Sequence, residues 1–333
     1  MYRIFKSRII LCLLVSLPWG LLAQTAREIA GVSITVTNLE RAIQFYEGVL
    51  HFKKTSEYTL NAAAAKSLFE VNENIKVATL KLGEESIELW ECKTPGRAIP
   101  ADARSNDLSF QHIAIVVSDM EAAYQQLRKA KVQFVSTAPQ TLPDYLPAAA
   151  GISAFYFRDL DGHNLEIIHF PKGKGNEKWQ KPGDQVFLGI DHTAIGIGDT
   201  DSSLDFYDAA LGLKVAGNSE NYGSEQEHLN QVFGAHLIIT GLKAQQGFGL
   251  EFLDYLSPPG GRLYPADSKV NDVWHWHTTL FTSDLNTLIT SLKERTKARH
   301  GKISTFQHPV FGRVQALLLR DPDGHAILAV SPE

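Results

Sequence analysis

The chain has 333 residues, 44% of them hydrophobic and 21% charged, a balance that excludes a largely disordered polypeptide and supplies sizeable cores. Its formal net charge of −5 suits neither a nucleic-acid backbone nor an anionic membrane surface. No phosphate loop, nucleotide fingerprint or cysteine-nucleophile pattern stands out in the sequence.

The first element is a leader. Arg3, Lys6 and Arg8 precede an apolar run from Ile9 to Ala23, broken by Ser16, Pro18 and Gly20. Leu21-Leu22-Ala23 ends on a small residue, so the pattern predicts a secretory signal over residues 1–23, cleaved before Gln24. The run is short for a spanning helix, which needs about 20 apolar residues. The expectation is an exported protein, periplasmic or secreted, that keeps no membrane attachment. Cleavage would take the charge to −8 and leave Cys92 alone, with no intrachain disulfide and no cysteine-based metal site. Any metal then falls to His, Asp or Glu.

Four segments follow one template: an alternating apolar strand, an Asn or Asp, then an amphipathic helix. The strand Val32–Thr37 ends at Asn38 and leads into a helix over Leu39–Leu50. His112–Ser118 ends at Asp119 before a helix over Met120–Ala130. His192–Gly198 ends at Asp199 before a helix over Ser202–Leu211, and His277–Ser283 ends at Asp284 before one over Leu285–Lys293. The Asn or Asp is the expected helix cap. These starts recur about every 80 residues, so each unit holds a strand, a helix and about three more strands.

The units alternate in kind. Units one and three share helix patterns, Phe45-Tyr46 and Phe206-Tyr207. Units two and four share Arg158-Asp159-Leu160-Asp161-Gly162-His163 and Arg320-Asp321-Pro322-Asp323-Gly324-His325, where Asp-Gly marks a tight turn between strands. The intervening segments match as well: Gly96-Arg97, Asp102, Asp107 and His112 recur as Gly261-Arg262, Asp267, Asp272 and His277. A two-unit ancestor has been duplicated. The halves are expected at 27–170 and 185–333, joined by a polar linker over 171–184.

Four such units, with His opening the first strand and Asp-x-Asp-Gly-His before the last, resemble the vicinal oxygen chelate superfamily of glyoxalase I, extradiol dioxygenases and bleomycin-resistance proteins. The resemblance implies an α+β fold in which four βαβββ modules pair into two curved, cup-like mixed sheets, each able to hold a divalent metal or a small ligand. It also implies that each cup takes ligands from the first and last strands of its two units. With each half taken as one cup, the N-terminal half offers His112, Glu88 and Glu166, the fourth position being Gly31. The C-terminal half offers His192, His277 and Glu251, the fourth being Leu328. Two imidazoles and a carboxylate suit non-haem Fe(II) and accommodate Mn, Zn or Ni, whereas one His with two carboxylates favours a harder Lewis acid. His275 shares a strand face with His277, and Tyr255 shares one with Glu251; they are the candidate acid–base and substrate-orienting groups. His163 and His325 belong to the turns and are expected to be structural.

Two functions remain open on this reading. One is a divalent-metal-dependent enzyme, of glyoxalase/lyase or dioxygenase type, acting on a small oxygenated substrate that chelates the metal. The other, motivated by the losses at Gly31 and Leu328, is a metal-free small-molecule-binding protein of the bleomycin-resistance type. Exposed sheet edges would also allow a homodimer.

Overall fold

The computed structural model describes residues 26–333 except 182, 297, 310 and 333. The expected leader over 1–23 lies outside the described residues. Each first strand is followed by its capped helix. Asn38, Asp119, Asp199 and Asp284 accept hydrogen bonds from the backbone N–H groups of Arg41, Ala122, Ser202, and both Asn286 and Thr287, satisfying donors that have no partner inside a helix. The helices span Leu39–Leu50, Met120–Lys129 and Leu285–Arg295; that of unit three runs over Thr200–Leu204 and widens to a π turn over Asp205–Ala210. Two further helices, Ala62–Phe69 and Ser224–Asn230, sit between the second and third strands of units one and three, beyond the single helix expected for each unit.

Within every unit the first strand lies parallel to the last, with the remaining strands added antiparallel beyond it. Residues at odd and even positions therefore face opposite sides. In Gln111–Val117, Ile113, Ile115 and Val117 join the large core packed with the helices, while Ala114 and Val116 belong to a separate cluster on the other face. Both faces are covered, which explains the nearly unbroken apolar run.

The pairing of units departs from the expectation. The first strand of unit two, Gln111–Val117, runs antiparallel beside that of unit three, Phe187–Ile197, and the first strand of unit one, Ala26–Thr35, beside that of unit four, Trp276–Thr282. The two sheets therefore combine units two and three, here the inner cup, and units one and four, the outer cup. Each cup draws on both halves of the duplication.

The matching segments between units hold this crossing in place. Arg97 bonds Asp272 at 2.7 Å and Asp267 at 3.0 Å, and Arg262 bonds Asp102 at 3.0 Å while its backbone N–H reaches Asp107 at 2.9 Å. The two arginines thus exchange places on opposite connectors. Within each half, the Asp-Gly turn grips the neighbouring helix: Tyr46 donates to Asp159 at 3.2 Å, and Tyr207 to Asp321 at 3.0 Å. His163 and His325 each place Nδ1 against the same aspartates at 2.8 and 2.9 Å. Their expected structural role holds.

Candidate functional site

The register of the inner cup decides which side chains meet. Ala194 lies opposite His112 on one side and Glu251 on the other; Ala114 lies between Glu166 and His192. These are two adjacent rows, two residues apart along the strands and so on one face. The central alanines, both fully buried, leave open the space over which four long side chains converge. His112 Nε2 lies 3.1 Å from Glu166 Oε2; His192 Nε2 lies 3.6 Å from that oxygen and 3.3 Å from Glu251 Oε2. Ligands about 2.1 Å from one ion stand roughly 3.0–3.4 Å apart along octahedral or tetrahedral edges, and these three separations lie close to that range. His112, Glu166 and His192 supply three such atoms within 4.8 Å of one another.

The trios expected from each half do not assemble. Glu88 does not join His112 and Glu166, and His277 does not join His192 and Glu251, because the sheets pair across the halves. Three of the six candidate ligands, His112, Glu166 and His192, come together, with Glu251 beside them 3.3 Å from His192, and both gaps, Gly31 and Leu328, fall in the outer cup. There the corresponding rows read His277-Ser33-Glu88 and Leu328-Thr279-Gly31. A side chain cannot simply be restored at Gly31, since its Cβ would stand 2.8 Å from the Ser86 carbonyl oxygen.

A carboxylate that sequence reasoning missed supports the inner set. A register shift between Ile190 and His192 makes Asp191 the extra residue of a bulge, and its carboxylate lies 3.1 Å from His192 Nδ1. It also accepts the Trp179 indole N–H at 2.7 Å. With Nδ1 turned to Asp191, the Nε2 of His192 faces the two glutamates, the orientation in which an imidazole would present Nε2 to an ion. Unit one has its own register shift between Ile29 and Gly31, with Ala30 where unit three has Asp191. The outer cup thus lacks the orienting carboxylate too.

Burial alone would lower the affinity of His192 for a proton, yet Glu251, Asp191 and Glu166 together hold it well above the ordinary imidazole range. Burial dominates at His112 and lowers it. It likewise pushes Glu166 up, but the hydrogen bonds and charges of His112 and His192 outweigh it and leave this carboxyl low. Glu251 is raised, first by burial and then by the nearby acids despite His192. The two carboxylates therefore differ in kind: Glu166 is bound to both imidazoles and 6% exposed, Glu251 28% exposed.

A cavity of about 460 Å³ opens over Glu166, His192 and Glu251. Tyr156 lines it with its ring 4.9 Å from that of His112. Asn221 and Gln226 also line it and begin a buried chain: Asn221 donates to Gln226 at 3.0 Å, Gln226 to Asn230 at 2.7 Å, and Asn230 to the Tyr255 hydroxyl. Tyr255 thus belongs to the inner cup, but its oxygen is tied into this chain. The helix carrying Gln226 and Asn230 was not foreseen, so neither was the chain. His275 is elsewhere. It is buried, its Nε2 3.2 Å from His277 Nδ1, in the outer cup.

The family model of the Glyoxalase/Bleomycin resistance protein/Dioxygenase superfamily matches residues 28–167 and 189–328. The chain belongs to this superfamily. Among its relatives is a 2-epi-5-epi-valiolone epimerase from Actinomyces sp, 32% identical over 151 residues that cover 43% of this chain and 79% of the epimerase. Glyoxalase I from Zea mays superposes with a TM-score of 0.59 at 17% identity, covering 91% of this chain and 92% of the other. A putative dioxygenase from Bacillus subtilis gives 0.57 at 12% identity, covering 93% and 86%. At such identities these structures speak for the fold, and both span nearly the whole two-cup chain. This superfamily member therefore combines one cup that gathers a candidate metal-binding cluster, His112, Glu166 and His192, with one that does not.

Proposed function

We propose that the protein is a divalent-metal-dependent isomerase or lyase that moves a proton next to a carbonyl in a small, hydroxylated substrate. The observation that carries this reading is the convergence of His112, Glu166 and His192 in the inner cup, with Glu251 3.3 Å from His192. A nitrogen- and oxygen-donor set of this kind suits Zn, Mn, Fe(II) or Ni. An ion held there would supply Lewis-acid polarisation of a substrate oxygen.

The chain's own residues divide the remaining work. His112, His192 and Glu166, almost wholly buried, would fix the site. Glu251, more open to the cavity and with its carboxyl raised by burial, is suited to take a proton from the carbon beside the carbonyl and to return one, since a base works best when its affinity approaches the working pH. Asn221 and Gln226, held by the chain to Tyr255, would orient substrate hydroxyls. The epimerase relative supports isomerisation over ring cleavage. The leader over 1–23 leads us to propose that this chemistry takes place outside the cytoplasm.

The test joins metal content to proton exchange. Protein purified without chelators should hold about one divalent ion per chain. Substituting His112→Ala or His192→Ala should abolish retention, and His277→Ala should leave it intact. In D2O the loaded protein should introduce deuterium beside the carbonyl of a polyhydroxylated cyclic ketone, and Glu251→Gln should slow this at least 100-fold. Oxygen consumption with ring cleavage, or ion retention that depends on His277 and not on His192, would overturn the assignment.

A further inference from the structure

The outer cup has a cavity of its own, about 200 Å³, over the face where the inner cup carries its quartet. Its chemistry is opposite. Glu88, the carboxylate corresponding to Glu251, accepts hydrogen bonds from Ser33 at 3.1 Å, Tyr58 at 2.9 Å and the Trp90 indole at 3.0 Å, and His308 stands 3.7 Å away. Its oxygens are committed. His277, fully buried, does not line the cavity; the rings of Trp90 and Phe69 lie 4.9 and 5.6 Å from its own. The other two ligand positions are Gly31 and Leu328. Among the described residues, no cluster of three His, Cys, Asp or Glu ligand atoms forms on this face.

Aromatic side chains dominate what is left. Phe281 and Phe311 meet edge to face at 4.7 Å, and Phe311 stacks on His308 at 4.3 Å. Phe306, Leu328, Val330 and Trp90 add to the apolar lining. Ring edges and faces presented at such distances favour a planar aromatic guest. An apolar cavity of about 150 Å³ holds one benzene ring and drug-sized sites begin near 300 Å³, so one or two rings fit here. Glu28 and Glu84 also line the cavity, and no Lys or Arg does among the described residues, which disfavours an anion.

We propose that the outer cup is a second, metal-independent binding site that takes a small neutral aromatic molecule of one or two rings. The proposal stands apart from the catalytic reading of the inner cup, because the two cavities share no lining residue.

The probe is 2-naphthol, with 2-naphthoate as its anionic counterpart, followed by equilibrium dialysis of the full chain with and without EDTA. The expected result is one saturable site for 2-naphthol, unchanged by EDTA or by added zinc, with 2-naphthoate at least tenfold weaker. Thr279→Phe, at a half-buried wall position, should weaken 2-naphthol at least tenfold, and Leu328→Phe should do the same. Circular dichroism on both variants reports that the fold is kept. Absence of saturable binding would overturn the proposal, as would displacement by zinc, equal binding of 2-naphthoate, or undiminished binding in both folded variants. If zinc fails to bind while 2-naphthol behaves as expected, the inner-cup reading fails and this one stands.

Discussion

At the scale of single residues, two alanines and one aspartate separate the cups. Ala114 and Ala194 leave the centre of the inner rows empty, where Thr279 and Ser33 stand in the outer rows; the Ser33 hydroxyl bonds Glu88 and ties it down. Asp191, turned toward His192 by a bulge, stands 3.1 Å from its Nδ1 and so orients the ring. Asp191→Asn should weaken metal affinity about 10- to 100-fold, the ordinary effect of removing such a partner, and competition with a colorimetric chelator measures it. An unchanged affinity would mean that the bulge serves only the sheet. The candidate ligands His112, His192, Glu166 and Glu251 were legible because they repeat in register. Asp191 was not, since strict alternation assigns the neighbour of an inward residue to the opposite face and only the extra residue of a bulge breaks that rule.

At the scale of elements, the Asp-Gly turns act as sockets for helices. Asp321 accepts from the backbone N–H groups of Asp323, Gly324 and His325 and from the side chains of His325 and Tyr207. Burial pushes its carboxyl up, but these donors and the His325 charge outweigh it, so it titrates below the ordinary range. A carboxyl lowered in the fold adds stability that is fully present above its unfolded pKa, about 3.9, and lost as pH falls through the folded value. Asp321→Asn should therefore cost about 2 kcal/mol near neutral pH, with the gap from the unsubstituted protein closing below about pH 4. Urea denaturation at both pH values checks it; a gap constant with pH would show that packing, not charge, is what the substitution removes. The four capped helices and these turns were readable because cap and turn chemistry is local. The helix over Ala62–Phe69 was missed although Asn61 caps it through Ala64, since eight residues carry too little periodicity to distinguish a helix from a connection.

At the scale of the molecule, the connectors decide the assembly. Arg97 and Arg262 clasp each other's connectors, and the first strands then meet across the halves. Each half alone offers one whole edge to each sheet and two of the four inner ligands. Cleaving a protease site placed in the polar linker over 171–184 should thus leave two fragments that elute together and still retain the ion. Fragments that separate, each with its own metal, would contradict the crossed arrangement.

The sequence by itself determined the repeat, the α+β units, the capped helices and the positions from which a metal could be held, because each depends on alternation, caps and turns within a few residues of one another. It did not determine which units share a sheet. Four equivalent first strands present similar backbone edges, and adjacency along the chain favours pairing neighbours, which led to two incomplete ligand trios. Tertiary structure chose the partners through contacts between residues some 170 positions apart, such as Arg97 with Asp272. That choice gathers His112, His192, Glu166 and Glu251 in one cup and leaves the other lined mainly by aromatic and aliphatic side chains around a hydrogen-bonded Glu88.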